Sequence, residues 1–433
     1  MTDSPRRRPR ILITLPDLAV GGGQRIVLNY LRHHDRRTFD ARVLTMQPEP
    51  DDLAGEFEAE GVEVISPGLG PGDRGGLRQL VGLLRSEQID LLHTHGPSDK
   101  RMLLLPALLT GVPVLYHLHS EWSHRGPLRR EHAPGWEMTP PGPLRRVASD
   151  GYDAIRAGTK GKLRDLVEDR VVREYLADSP PLAFTFRRLL NRPVYAMSQS
   201  VPLVELAAAA AAHDDDAWRA ELGLGPGPVA VNVSRIEEGK GQDRIIRAMA
   251  VVRHQVPDAQ LVVVGDGDQR ADCERLVDQL GLRDAVHFLG TRSDVPRLLV
   301  GADVFAFGSW TESFGLVVAE AMAARLPVVA FQLPSVADFA IDAVTGYFPD
   351  QADDEGFAHA LADLLADPTK ARKMGEAGYE VVAERFPPEA TARSFEAAYR
   401  RILGPAAFRS CPGTLTVTTT PAVAARSSIT SSS

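Results

Sequence analysis

The sequence predicts an α/β fold of two parallel, doubly wound sheets. Short apolar runs alternate with helical patterns through both halves, as βαβ units require. Several of those runs end in glycine-containing turns that open the next helix. At 433 residues, 44% hydrophobic and 24% charged, the chain is long enough for two cores of ordinary globular composition.

In the first half, residues 11–15, 41–45, 62–65, 89–95 and 112–119 read as strands. Ile26, Val27, Tyr30 and Leu31 share one helical face, and 77–85 and 103–109 are helical. Residues 121–143 are polar and rich in Arg, Pro, Gly and His, a long irregular loop of the kind that usually carries function. The stretch 147–178 reads as helix, and 193–198 as the last strand of this half. The alanine run 207–212 followed by His213-Asp-Asp-Asp216 reads as a helix ending in a solvated charge run.

The second half begins near Trp218. Its strands are 229–233, 261–264, 286–290 and 304–307. Ile245, Ile246, Met249 and Val252 mark one helix, with others at 316–324, 357–365, 371–384 and 389–403. Past Gly404 the chain turns to Thr, Ser, Ala and Pro without core periodicity, which predicts disorder.

Charge and cysteine content narrow the function. A net charge of −8 disfavours non-specific nucleic-acid binding. Two cysteines, Cys273 and Cys411, supply neither a disulfide framework nor a cysteine-rich zinc site, which fits a reducing cytoplasm. No apolar run is long enough for a spanning helix or a signal-peptide core.

Ligands of doubly wound sheets sit beyond the carboxyl ends of the strands, so chemistry is sought there. After the first strand come Gly21, Gly22 and Gly23 and then a helix, an arrangement that brings amides to a phosphate. A dinucleotide fingerprint fails, because its third glycine is replaced by Ile26 and the second strand ends in Met46 and Gln47. Arg235 and Lys240 flank a glycine turn at the start of a second helix, two cations suited to a diphosphate. The string Gly308-Ser-Trp-Thr-Glu-Ser-Phe-Gly-Leu316 forms a third such turn, bracketed by Glu312 and Glu320. Helical throughout, that eight-residue separation would span roughly 12 Å. An acidic residue before a helix is also common without function. Asp266-Gly-Asp268 reads as a tight turn. His93, His95, His117 and His119 all fall near strand ends. A His95/His117/His119 metal cluster lacks a carboxylate at ligand spacing, and no metal is expected.

Ser313-Phe-Gly-Leu316, Glu320-Ala-Met-Ala323, the Glu312/Glu320 pair and the strand 327–330 resemble the retaining glycosyltransferases of family 4 (glycosyl transferases group 1). The resemblance covers about 11–403 and implies the GT-B fold, two Rossmann-like domains with a cleft between them. Residue by residue it makes His119 the active-site histidine supporting the transferring sugar, Arg235 and Lys240 the diphosphate-binding pair, and Glu312 the residue orienting that sugar. Glu320 would hold the ribose. Gly22 and Gly23 would lie beside the diphosphate with Phe314, Gly315 and Leu316, and Arg292 near the donor base. Ser198-Gln-Ser200 matches the family's serine, but the Asn-Gly-x-Asp loop expected next is absent.

The expected organisation is an acceptor-side domain at 1–200, a remodelled linker at 201–217 and a nucleotide-sugar domain at 218–388. A helix at 389–403 would cross back, followed by a disordered tail at 404–433. The expected reaction moves a hexose or N-acetylhexosamine from a nucleotide diphosphate sugar, UDP favoured, to a hydroxyl of a small acceptor such as an aminocyclitol in antibiotic biosynthesis. No cofactor is expected beyond that co-substrate. The alternatives are a lipid or polysaccharide acceptor, a sugar-nucleotide epimerase or phosphorylase, and a silent nucleotide-sugar sensor.

Overall fold

The computed structural model describes residues 7–47, 51–68, 76–95, 97–119, 166–190 and 192–408. The predicted irregular loop at 121–143 and the start of the predicted helix at 147 lie outside them.

Seven parallel strands form the first sheet: β1 (Arg10–Leu15), β2 (Asp40–Thr45), β3 (Val64–Ile65), β4 (Leu91–Thr94), β5 (Val114–Leu118), β6 (Val172–Ala177) and β7 (Val194–Ala196). Their order is β3-β2-β1-β4-β5-β6-β7. Six parallel strands form the second: β8 (Val229–Val233), β9 (Gln260–Val264), β10 (Val286–Gly290), β11 (Val304–Phe307), β12 (Val328–Ala330) and β13 (Gly346–Tyr347), in the order β10-β9-β8-β11-β12-β13. Strands β1, β4, β5, β9, β11 and β12 are buried almost throughout, because helices cover both faces. Each sheet therefore has a core on either side, Leu12, Leu92 and Tyr116 on one face of the first and Ile11, Ile13 and Leu115 on the other.

In each sheet the strand order reverses at one place, between β1 and β4 in the first and between β8 and β11 in the second. Exit loops diverge there and leave a crevice. The three glycine turns read as anion seats follow β1, β8 and β11, so each opens onto a crevice.

The Ala390–Leu403 helix crosses back onto the first sheet. Phe395 and Tyr399 are fully buried in its core, Glu396 accepts the Asp35 amide at 2.8 Å, and Arg401 pairs with Glu174. Ser198 and Ser200 meet the same helix, through Ser394 Oγ at 3.0 Å and Thr391 Oγ1 at 2.9 Å.

Some expectations need correction. Residues 172–177 are a strand and not the end of a helix: Val172, Tyr175, Leu176 and Ala177 are buried between β5 and β7, and tertiary pairing overrides the local helical pattern. The acidic run after the alanines starts a helix, Asp215–Leu222, with the Asp214 side chain accepting the Ala217 amide at 3.1 Å. Beyond Gly404, Pro405–Phe408 makes a further helical turn, and Phe408 packs edge-on against Phe39 at 5.6 Å. The rest of that tail lies outside the described residues.

Candidate active site

The second sheet's contribution comes from two loops pressed backbone to backbone. Gly241 sits at φ +70°, and a Cβ there would lie 2.0 Å from the Gly308 carbonyl oxygen. A Cβ on Gly308 would meet the Gly241 oxygen at 2.2 Å. Only glycine fits either place. The Trp310 amide donates to the Gly239 oxygen at 2.9 Å, and Arg244 stacks on the Trp310 ring at 4.2 Å. This clamp carries Lys240 to Glu312, whose Oε1 accepts from the ammonium at 2.7 Å. Both side chains are largely buried, 23% and 15% exposed, so the pair is screened little by solvent.

Three helices begin at the crevices: Gly22–His33, Gln242–Gln255 and Leu316–Ala323. Among the described residues no side chain caps any of them, and glycine stands at every N-cap. Their first amides and the positive dipole ends are thus set toward anions. Gly315 is left-handed at φ +82°, with Val336 Cγ2 only 3.0 Å from where a Cβ would stand.

The first sheet contributes histidines. His119, just past β5, lies between two partners: His95 Nδ1 is 2.9 Å from its Nε2, and Asp178 Oδ2 is 3.1 Å from its Nδ1. Asp178 also accepts from His117 Nε2 at 2.9 Å and from Gln199 Nε2 at 3.2 Å. A carboxylate only accepts, so His119 and His117 must donate to it, which assigns their tautomers. Burial alone would raise the Asp178 carboxyl. The nearby His119 and the bonds from both imidazoles outweigh it and hold the group well below the usual carboxylate range. Burial and mutual repulsion keep His93 and His95 well below 6.5, and His117 at about 4.

A hydrogen-bonded chain joins the halves. Ser313 Oγ donates to Asp178 Oδ2 at 3.3 Å, and Ser179 Oγ donates to the Ser313 carbonyl. Glu312 precedes Ser313, so the Lys240–Glu312 pair and His119 are tied to neighbouring points of one crevice. Gly23 is there too, with the His119 ring 3.7 Å from where its Cβ would be, whereas a Cβ on Gly22 would meet nothing within 4 Å among the described residues.

The remaining candidates divide. Arg235 is an exposed guanidinium paired with Glu237 at 2.5 Å. Arg292 donates to Asp294 at 2.8 Å and to Glu221 at 3.2 Å. The Phe314 ring is buried against Phe339 and Phe386, leaving its backbone for any ligand contact. Leu316 packs into cores of both halves. Glu320 is half-buried, and burial, with Glu205 nearby, pushes its carboxyl up to about 7 against the pull of Arg25.

Sequence reasoning missed Asp178, and with it the carboxylate thought lacking beside the histidines. The signal was Val172-Arg-Glu-Tyr-Leu-Ala-Asp178, a strand-like run with its polar residue at the exit.

Comparison with known proteins agrees with this architecture. Residues 214–381 match the glycosyl transferases group 1 family, and residues 21–177 the glycosyl transferase 4-like domain. The chain belongs to the GT-B glycosyltransferases of the family 4 type. Among relatives, it is 38% identical over 181 residues to the GDP-mannose-dependent alpha-(1-6)-phosphatidylinositol monomannoside mannosyltransferase of Mycolicibacterium smegmatis, covering 39% of this chain and 47% of that one. It is 32% identical over 195 residues to the alpha-D-kanosaminyltransferase of Streptomyces kanamyceticus, covering 44% and 50%. The chain thus spans about half the length of the curated relatives it matches. Among solved structures, Anabaena Alr3699/HepE in complex with UDP-glucose superposes with a TM-score of 0.72 at 19% identity, over 90% of this chain and 99% of that one. Among the described residues no helix is long and apolar enough to cross a membrane.

Proposed function

We propose that the chain is a retaining hexosyltransferase, taking its sugar from a nucleotide diphosphate sugar. The observation that carries this is the Lys240–Glu312 pair, linked through Ser313 and Asp178 to His119. An ammonium has three N–H groups. One meets Glu312, and the others suit phosphate oxygens. With the uncapped helix starts at Gly22, Gly241 and Gly315, Lys240 would stabilise charge on the departing diphosphate, and Arg235 would join by swinging from Glu237. Among the described residues nothing lies within 4 Å of where a Cβ on Gly22 would stand, which leaves room for a donor diphosphate beside it. Glu312 would orient the sugar, Glu320 would hold the ribose, and His119 would support developing positive charge. The leaving phosphate would draw the acceptor proton in a same-face displacement. Cationic side chains and helix ends do the work at the diphosphate without a metal there.

UDP remains the favoured base, supported by the UDP-glucose complex of the Anabaena neighbour, with GDP second on the mannosyltransferase relative. A small aminocyclitol-like acceptor stays the first reading, and the kanosaminyltransferase relative is named for the transfer of an amino sugar. A lipid acceptor is the second reading, favoured by the phosphatidylinositol mannoside relative. The test is mass spectrometry of products from UDP-, GDP- and dTDP-sugars against aminocyclitols and phosphatidylinositol. A hexose-sized mass gain on an aminocyclitol supports the reading. Gain only on the lipid transfers it to the second reading, and isomerised donor without transfer replaces it by an epimerase.

A further inference from the structure

Beneath His119 the first sheet buries a set of imidazoles that sugar transfer does not use. His93 and His117 are 0% exposed and His95 is 5% exposed. Each has one ring nitrogen engaged on its outer side: His93 Nδ1 with the Tyr399 hydroxyl at 2.9 Å, His95 Nδ1 with His119 Nε2 at 2.9 Å, and His117 Nε2 with Asp178 Oδ1 at 2.9 Å. The other nitrogens, His93 Nε2, His95 Nε2 and His117 Nδ1, are buried and have no hydrogen-bond partner among the described residues. Buried unpartnered polar atoms are uncommon and costly. Their gathering in one place needs an explanation.

The hydrogen-bond chain shows what these atoms are. His117 donates through Nε2 to the Asp178 carboxylate, so its neutral ring leaves a bare lone pair on Nδ1. With His119 neutral and donating through Nδ1 to the same carboxylate, its Nε2 accepts from His95 Nδ1–H. That leaves a bare lone pair on His95 Nε2. The His117 and His95 atoms are acceptors, and His93 Nε2 is a third where His93 Nδ1–H donates to the Tyr399 hydroxyl; the buried ring of Phe395, whose centroid lies 4.5, 5.8 and 5.5 Å from those of His93, His95 and His117, offers them no N–H or O–H donor. A cation satisfies lone pairs of this kind.

The geometry points to a divalent transition-metal site, with zinc the fitting ion, held by His93, His95 and His117. One nitrogen from each lies within 4.8 Å of the others. Ring centroids are 4.3, 4.8 and 5.6 Å apart, bracketing the roughly 5 Å expected for imidazoles around a tetrahedral ion with Zn–N of about 2.0–2.1 Å. Three neutral imidazoles without thiolate suit zinc among first-row ions. The outer bonds to Tyr399, His119 and Asp178 are the supports that metal-bound histidines use to hold ring orientation. The ion would pin the returning Ala390–Leu403 helix to the first sheet and fix the tautomer of His95 beneath His119. This site is independent of the diphosphate crevice and stands whether or not sugar transfer is shown.

The test is zinc content of the full-length protein, grown with zinc and dialysed, followed by chelator stripping, calorimetric retitration with zinc chloride, and cobalt substitution read by visible absorption. The expected results are about one ion per chain and a tetrahedral cobalt spectrum. His95→Gln and His117→Gln should abolish stoichiometric binding, Asp178→Asn should weaken it about 10–100-fold, and His359→Gln at the surface should retain it. If the ligand variants fail to fold, X-ray absorption of the wild-type zinc form decides, with imidazole scattering expected. No retained or titratable ion, a featureless cobalt spectrum, or zinc content unchanged in both ligand variants overturns the site.

Discussion

The halves of the crevice are built on opposite plans. The β8/β11 side is local and rigid: Gly241 and Gly308 touch backbone to backbone, and the Lys240–Glu312 pair follows from that contact. The β4/β5 side is assembled from distant segments. His95, His119, Asp178 and Tyr399 come from separate strands and from the returning helix, and they are held by side-chain hydrogen bonds. The difference suits the proposed division of labour, in which the cationic seat would hold the departing diphosphate and the imidazole network would meet the reacting sugar.

The sharpest way to break this comparison is at His119. His119→Ala should lower kcat by about 10²–10³-fold with little change in affinity for the nucleotide diphosphate. Steady-state transfer kinetics check it, and an equal loss of UDP affinity would erase the division. On the other side, Lys240→Ala should lower kcat/KM for donor by about 10–100-fold, as expected for one charge-assisted contact worth about 1.5–3 kcal/mol. Unchanged donor kinetics would remove Lys240 from the diphosphate.

Asp178→Asn sharpens the comparison further, since it keeps the shape but removes the carboxylate that orients His119. A fall in kcat of roughly tenfold is expected, with a changed pH–rate profile. A stability loss with an unaltered profile would reduce Asp178 to a packing role.

The smallest effect belongs to Glu320. Its carboxyl, held up at about 7 chiefly by burial, keeps its proton where an unfolded-chain glutamate, near 4.5, has lost it. The folded chain binds more protons across that window, so stability falls as pH rises through it and levels off above about 7. Glu320→Gln should flatten this slope in thermal melts and abolish the tightening of donor KM expected as the carboxylate forms. An identical pH dependence in wild type and variant would contradict the assignment.

The contrast also explains what could be read from the sequence. Lys240, Glu312 and Gly315 lie on strand–turn–helix segments whose local pattern declares them, because the same few residues make the turn and carry the chemistry. Asp178 declares itself less plainly, by a short strand-like run at the end of a longer helical-looking stretch. Its strand is specified by burial between β5 and β7, long-range pairings that a helical-looking stretch conceals. The unpartnered histidine nitrogens were equally hidden, since they depend on where Tyr399 and Asp178 arrive in space. The partners of Arg292, Asp294 and Glu221, are likewise set by the fold, since Glu221 lies far from it in the chain.

The most direct test of a shared crevice needs no acceptor. Dissociation constants would be measured by calorimetry for UDP, UDP-glucose and GDP-mannose with wild type, Lys240→Ala and His119→Ala. The account predicts that Lys240→Ala weakens nucleotide and nucleotide sugar alike, while His119→Ala spares the nucleotide and weakens the sugar-bearing ligand. Wild-type affinity for every ligand in both variants would contradict it.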